Sequence, residues 1–318
     1  MKRAIVRPSH AVGADSRPAR GSTYNRGVLG HVLTAIATPF SEDGAVDFDS
    51  FQRLAAYLVD NGSDGLVVAG TTGESPTLDD AERLDLVRAA IDAVGDRASV
   101  VANTGTYSTA QSVQLTEQAH EAGADAFLVV TPYYNKPPQR GIVQHVAEIA
   151  RASDRPIVVY NIPSRVVVNI EPETMTRLAE IETVRAVKQA HDDLAEARHI
   201  VELGLDLYAG DDVLLLPFLG LGAIGGICVH THVVGPQVAE QVRAAFDGDF
   251  ERARELDADL QPVYELLRIT TNPIPIKAAL NLRGHEVGGH RLPLVPPTER
   301  ELELVRDCLA RLGLLVAA

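Results

Sequence analysis

The chain has 318 residues, of which 46% are apolar and 23% charged, and its formal net charge is -14. That is the composition of a soluble globular protein with one large domain, or one domain and an appendage. So acidic a surface repels polyanions, which argues against nucleic acid and anionic membranes as partners, and no apolar run reaches the ~20 residues that a membrane helix needs.

Residues 1–28 hold Arg3, Arg7, Arg17, Arg20 and Arg26 among Ser, Pro and Gly. They lack the apolar segment of a secretory signal and any amphipathic period; they read as a disordered arm, with an organellar transit peptide as the alternative. From Gly30 onward, short apolar runs alternate with helical patterns. The runs cover 32–38, 65–69, 99–102, 126–130, 156–160, 184–188, 205–209 and 225–229, and being continuous they suit parallel strands covered on both faces. Between the first two, Asp47 can cap a helix whose Phe51, Leu54, Ala55 and Leu58 share one face. A second helix is predicted over 79–94, and others are centred near Val113, Ala147, Met175, Ala195 and Leu215. Eight strand–helix units imply an α/β fold, a (β/α)₈ TIM barrel over 29–248. An open doubly wound sheet is disfavoured, because Thr38-Pro39-Phe40 follows the first strand where a glycine-rich fingerprint would stand. Further helical patterns at 250–267, 275–282 and 297–312 imply a small C-terminal helical appendage, 249–318.

Barrel enzymes carry their sites at the C-terminal ends of the strands. There the chain places Gly70-Thr71-Thr72-Gly73-Glu74-Ser75, Thr131-Pro132-Tyr133-Tyr134-Asn135, Tyr160-Asn161-Ile162-Pro163-Ser164-Arg165, Lys188 and Gly210-Asp211-Asp212. Lys188 is the most informative residue. Only Lys2, Lys136, Lys188 and Lys277 are lysines, against 25 arginines. A lysine at the tip of an apolar strand, in a chain that otherwise uses Arg, suits a task that needs an amine able to lose its proton and attack a ketone. The structural alternative is a barrel lysine paired with Glu74 or Asp211. Thr71, Thr72 and the Gly73 backbone can hold a carboxylate, or form an ordinary capped turn. Tyr160 can shuttle protons, or fill the barrel. Arg165 can clamp a substrate carboxylate, or form a surface ion pair. His230 and His232 would point the same way on a strand and could hold a metal with Asp211 or Asp212, but no third-ligand pattern supports this and no metal is expected. Two cysteines, Cys228 and Cys308, make no disulfide framework and read as buried free thiols in a reducing cytoplasm.

Together these strand-end motifs, with Asn272-Pro273-Ile274-Pro275-Ile276-Lys277, resemble the dihydrodipicolinate synthase/N-acetylneuraminate lyase family of class I aldolases over nearly all of 30–315. The double Thr, the Tyr-Tyr-Asn and the Arg after Pro-Ser are most similar to its 4-hydroxy-tetrahydrodipicolinate synthases. The resemblance implies that Lys188 forms an imine with pyruvate, that Tyr160 donates and accepts protons, and that Thr71 and Tyr134 complete the relay, Tyr134 in a neighbouring subunit's site. It implies that Thr72, Gly73, Gly210 and the backbone of Ile227 hold pyruvate, and that Arg165 binds aspartate 4-semialdehyde. A cytoplasmic homotetramer without metal or organic cofactor follows by the same likeness, acting in lysine and diaminopimelate biosynthesis on small-molecule substrates. Gln189, Val166 and His230 depart from the family pattern and bear on the aldehyde. Asp80, Tyr107 and Gln111 stand where lysine-inhibited members carry His, Asn and Glu, which implies weak or absent feedback by lysine. Another pyruvate-dependent aldolase of the family and a catalytically silent paralogue are the alternatives.

Overall fold

The structure is a computed structural model and describes residues 29–315; the expectation of a disordered arm over 1–28 lies outside the described residues. Eight strands form a closed parallel barrel in sequence order: β1 Val32–Ala35, β2 Gly65–Val68, β3 Ser99–Asn103, β4 Ala126–Val130, β5 Ile157–Asn161, β6 Val184–Gln189, β7 Asp206–Ala209 and β8 Gly225–Cys228. The ring closes where β8 pairs with β1, Val32 opposite Gly226 and Leu33 opposite Ile227. This is the (β/α)₈ architecture that the alternating pattern predicts.

The continuous apolar runs are explained by burial on both faces. Leu33, Val67, Val101, Leu128, Val158, Tyr208 and Ile227 fill the barrel interior. Alternate residues such as Val159, Val187 and Leu207 pack outward against the helices. Each large apolar side chain buried in this way contributes about 1.5–3 kcal/mol. The first strand is shorter than its apolar run. Ile36 still donates to the Val67 carbonyl at 3.2 Å, but the Ala37 N–H turns to His232 Nε2 at 3.1 Å, which ends the ladder.

Local signals start the helices as expected. Asp47 accepts the Ser50 N–H at 2.9 Å and opens the helix Phe48–Asp60, which buries Phe51, Leu54, Ala55 and Leu58. Asp79 and Glu82 form a reciprocal capping box ahead of the helix Asp80–Val94. After β8 the chain runs through the helix Thr231–Phe246 and then Phe250–Asp259, Gln261–Leu267, Ile274–Leu282 and Glu299–Arg311. The single pattern over 250–267 is two helices. Pro262, which has no N–H to give, lies in the first turn of the second. Val263, Leu266, Ile276 and Val305 of these terminal helices share one apolar cluster with Val233 and Val238 behind the barrel. No helix among the described residues is long and apolar enough to cross a membrane.

Closure depends on the absence of a side chain at Gly225, where a Cβ would lie 1.8 Å from the His31 carbonyl oxygen. That same oxygen accepts the Gly226 N–H at 2.9 Å and joins β8 to the start of β1. Gly225→Ala is therefore expected to cost about 3 kcal/mol, the upper end of ordinary overpacking, read as a lowered urea midpoint.

Candidate active site

Strand register puts the reactive candidates in one layer. Tyr160 pairs with Lys188, and Lys188 with Tyr208, across β5, β6 and β7. Alternation along the strands turns Tyr160 and Lys188 toward the barrel axis, and they are 4% and 5% exposed. The Lys188 Nζ lies 4.3 Å from the centroid of the Tyr160 ring. Above them opens a cavity of about 280 Å³, enough for a small ligand, lined by Thr71, Thr72, Tyr160, Arg165, Lys188 and Gly210. The C-terminal helices complete its wall with Tyr264, Arg268, Thr270, Thr271 and Asn272.

The alternative pairing of Lys188 with Glu74 does not form. Glu74 is 2% exposed and its carboxylate accepts from Lys277 Nζ at 2.9 Å and from the Arg291 N–H at 3.2 Å. Asp211 lines the cavity without a salt bridge to Lys188. Among the described residues the Lys188 amine has no ion pair or hydrogen bond, and the face of the Tyr160 ring lies against it.

The loop after β2 is held by distant residues. Ala69 and Glu74 take left-handed backbone conformations at φ 52 and 57°, strained for residues with side chains. Thr38 Oγ1 donates to the Gly73 carbonyl at 2.7 Å, and Asn272 Nδ2 to Thr72 Oγ1 at 2.9 Å. Lys277, fully buried, donates to the Thr38 carbonyl at 2.8 Å as well as to Glu74. Burial pulls the Lys277 pKa down against the pull of Glu74, and the Phe40 ring lies 4.4 Å from its Nζ. Lys277 and Asn272 were not among the predicted site residues. The scarcity of lysine that singled out Lys188 applied equally to Lys277, but only contacts across some 200 positions of chain reveal its partner.

Three of the residues assigned by resemblance do not line the cavity. Gly73 faces Ala69 and Ile36, where a Cβ would meet their atoms at 3.2 Å. Ile227 is fully buried on the inner face of β8. Tyr134 stands outside, 94% exposed, with φ 68°.

The three departures from the family pattern also stand away from the cavity. Gln189 faces outward, accepting from Asn161 Nδ2 at 3.1 Å and donating to Glu196 at 3.2 Å. Val166 packs in the apolar cluster of Tyr160 and Ile162. His230 is fully buried, with Nδ1 2.7 Å from Asp212 Oδ1. His230 and His232 do not point the same way, because β8 ends at Cys228 and a helix begins at Thr231. His232 is committed at both nitrogens: Nδ1 donates to the Val229 carbonyl at 2.7 Å and Nε2 accepts from Ala37. Burial pulls its pKa down to about 4, which keeps it neutral. For Asp212, burial pushes the carboxyl upward, but the charge and hydrogen bonds of His230 outweigh it and hold the group well below the usual carboxylate range.

Lys277→Met should leave Glu74 as a buried, uncompensated charge and destabilise the chain by about 3–5 kcal/mol in urea unfolding. The double change Lys277→Met with Glu74→Gln should recover much of that loss, a non-additivity that identifies the pair and not the lysine packing as the source.

A family model described as the dihydrodipicolinate synthetase family matches residues 28–312. The 4-hydroxy-tetrahydrodipicolinate synthase of Moorella thermoacetica is 48% identical over 289 residues, covering 90% of this chain and 99% of the relative. A solved chloride-inhibited dihydrodipicolinate synthase from Acinetobacter baumannii, complexed with pyruvate, is 35% identical with a TM-score of 0.88, covering 90% of this chain and 100% of the other. A monomeric dihydrodipicolinate synthase variant is 41% identical with a TM-score of 0.87, covering 90% and 97% of the two chains. With the model matched from the first turn of the barrel to the last helix, and identity near one half across the whole length of a relative, the chain belongs to the dihydrodipicolinate synthetase family.

Proposed function

We propose that this protein condenses pyruvate with aspartate 4-semialdehyde to give 4-hydroxy-tetrahydrodipicolinate. The observation that carries this reading is the Lys188 amine, uncommitted in a small cavity and facing Tyr160 at 4.3 Å. The name borne by relatives of this similarity supplies the substrates.

In this reading the Lys188 Nζ adds to the pyruvate ketone carbon, and the carbonyl oxygen leaves as water once Tyr160 has delivered a proton. The resulting iminium withdraws electrons from the methyl group, which loses a proton and becomes the carbon nucleophile. That carbon attacks the aldehyde, whose oxygen takes up a proton. Attack of the aldehyde partner's own amine on the imine carbon closes the ring and returns Lys188 to its free form. Thr71 and Thr72 hydroxyls lie on the cavity wall where the pyruvate carboxylate would bind. Arg165, at the exposed rim, is placed for the carboxylate of the incoming aldehyde. The reaction on these residues uses no metal or organic cofactor.

Tyr134 fits this reading as a residue lent to another subunit. It is exposed and follows Tyr133, whose ring packs edge-on at 5.3 Å against Tyr107, itself 54% exposed. Exposed aromatic residues next to each other suit an interface between copies of the chain, and the reading includes a homotetramer in the cytoplasm, the latter in keeping with free, buried Cys228 and Cys308.

Borohydride reduction in the presence of pyruvate should add one reduced pyruvate to Lys188, located by peptide mass, and Lys188→Ala should abolish it. A chain without the adduct would be a silent paralogue. An adduct with no turnover of aspartate 4-semialdehyde, and turnover of 2-keto-3-deoxy acids instead, would move the activity to another pyruvate-dependent aldolase. Tyr160→Phe should lower kcat by about 10²–10⁴ while the fold is kept. Lysine should inhibit weakly: Asp80 already accepts from Gln111 Nε2 at 2.9 Å, and half-inhibition at sub-millimolar lysine would contradict this.

A further inference from the structure

Behind the cavity wall, on the outer face of β8, three donor side chains converge that the condensation does not use. Alternation sends Ile227 inward and Cys228 outward, where the thiol is 1% exposed. Room for the sulfur comes from Gly226, where a Cβ would stand 2.5 Å from the Cys228 Sγ. Two residues on, the His230 ring is fully buried, and Asp212 reaches the same place from the turn after β7. One ligand atom from each of Asp212, Cys228 and His230 lies within 4.8 Å of the other two.

The imidazole is the second, independent sign of a missing partner. His230 Nδ1 is 2.7 Å from Asp212 Oδ1 and pairs with it, whereas the buried Nε2 has no hydrogen-bond partner among the described residues. A buried polar atom left in that condition costs about 1–3 kcal/mol, and native interiors rarely keep one without a water or an ion. His232 does not belong to the cluster, since both of its nitrogens are occupied elsewhere. Thiolate, imidazole and carboxylate together are the donors of a borderline-soft divalent ion; a hard ion such as magnesium or calcium would want oxygen alone.

We propose that Asp212, Cys228 and His230 form a site for one borderline-soft divalent cation of the zinc class, next to the Lys188 cavity, whose wall it shares through Asp212. As the sulfur–metal bond forms, the thiol proton of Cys228 leaves to solvent; no electron is transferred. The three side chains leave a fourth tetrahedral position for water. The site adjoins the working part of the molecule: Asp212 Oδ1 accepts the Val229 and His230 N–H groups at 2.8 and 2.7 Å, and both Asp212 and Val229 lie on the cavity wall.

The test uses the full chain, stripped with a chelator, kept reduced with a phosphine and titrated with cobalt(II), with zinc as competitor. The expected result is a single equivalent bound, with a thiolate-to-cobalt charge-transfer band in the near ultraviolet. Cys308→Ser should keep the band and Cys228→Ser should lose it. His230→Ala should weaken binding by more than about tenfold, since even the outer partners of metal ligands are worth 10–100-fold. Circular dichroism melts show whether each variant is folded. If Cys228→Ser is not, X-ray absorption on the unmodified chain decides by the presence or absence of sulfur in the cobalt shell. Absence of stoichiometric binding, a cobalt shell without sulfur, a band that survives Cys228→Ser, or an affinity indifferent to His230→Ala would each overturn the proposal. All of these readouts are of metal and none of turnover, so their failure leaves the reading of Lys188 where it stands.

Discussion

The fold buries two lysines, Lys188 and Lys277, and the buried carboxylate of Glu74 is taken by Lys277. Glu74 binds Lys277 at 2.9 Å, and Lys188 is left with the face of Tyr160. The Glu74–Lys277 pair thus has two effects. It neutralises a carboxylate that could not be buried alone, and it keeps that carboxylate away from the amine at the tip of β6. It also joins the C-terminal helix Ile274–Leu282 to the loop after β2, across the mouth of the barrel.

That link explains why the terminal helices matter to the site. A bare barrel would offer Thr71 and Thr72 on a loop with two residues in left-handed conformations, which need outside support to persist. Asn272, Lys277 and the Arg291 backbone supply it, by bonds to Thr72 and Glu74. Thr270, Thr271 and Asn272 then serve as cavity wall as well. The appendage is part of the architecture of the cavity through these few polar contacts and through an apolar cluster it shares with the barrel.

The differences from the family pattern sort by the face on which they lie. Gln189 and His230, two residues that the family resemblance set apart, do not line the cavity; one joins the network with Asn161 and Glu196, and the other meets Asp212, which does line it. The parallel barrel allows this because adjacent residues of a strand serve different layers. Lys188 faces the cavity while Gln189 faces the helices; Ile227 faces the barrel axis while Cys228 faces outward beside His230. Variation on the outer layer can therefore build a second polar cluster that adjoins the cavity through Asp212.

The amino-acid order alone determined the elements and singled out Lys188 as a candidate. Continuous apolar runs separated by amphipathic segments admit little besides strands buried on both faces, and Asp47 and Asp79 mark helix starts by hydrogen bonds that reach only three residues. Lys188 was legible because a lysine at the end of such a run is chemically out of place in a chain rich in arginine. Tertiary structure decided what depends on partners far apart in the chain: that Glu74 belongs to Lys277, that Tyr134 lies on the outside of a single chain, and that the run 250–267 breaks at Leu260. It also parted His230 from His232, which a strand would have kept side by side, by starting a helix at Thr231 and giving His232 to the Ala37 amide. The reason is common to all of these: a local hydrogen bond or a periodicity is encoded within a few residues, whereas the choice among several possible partners for a buried charge is settled only when the whole barrel has closed around it.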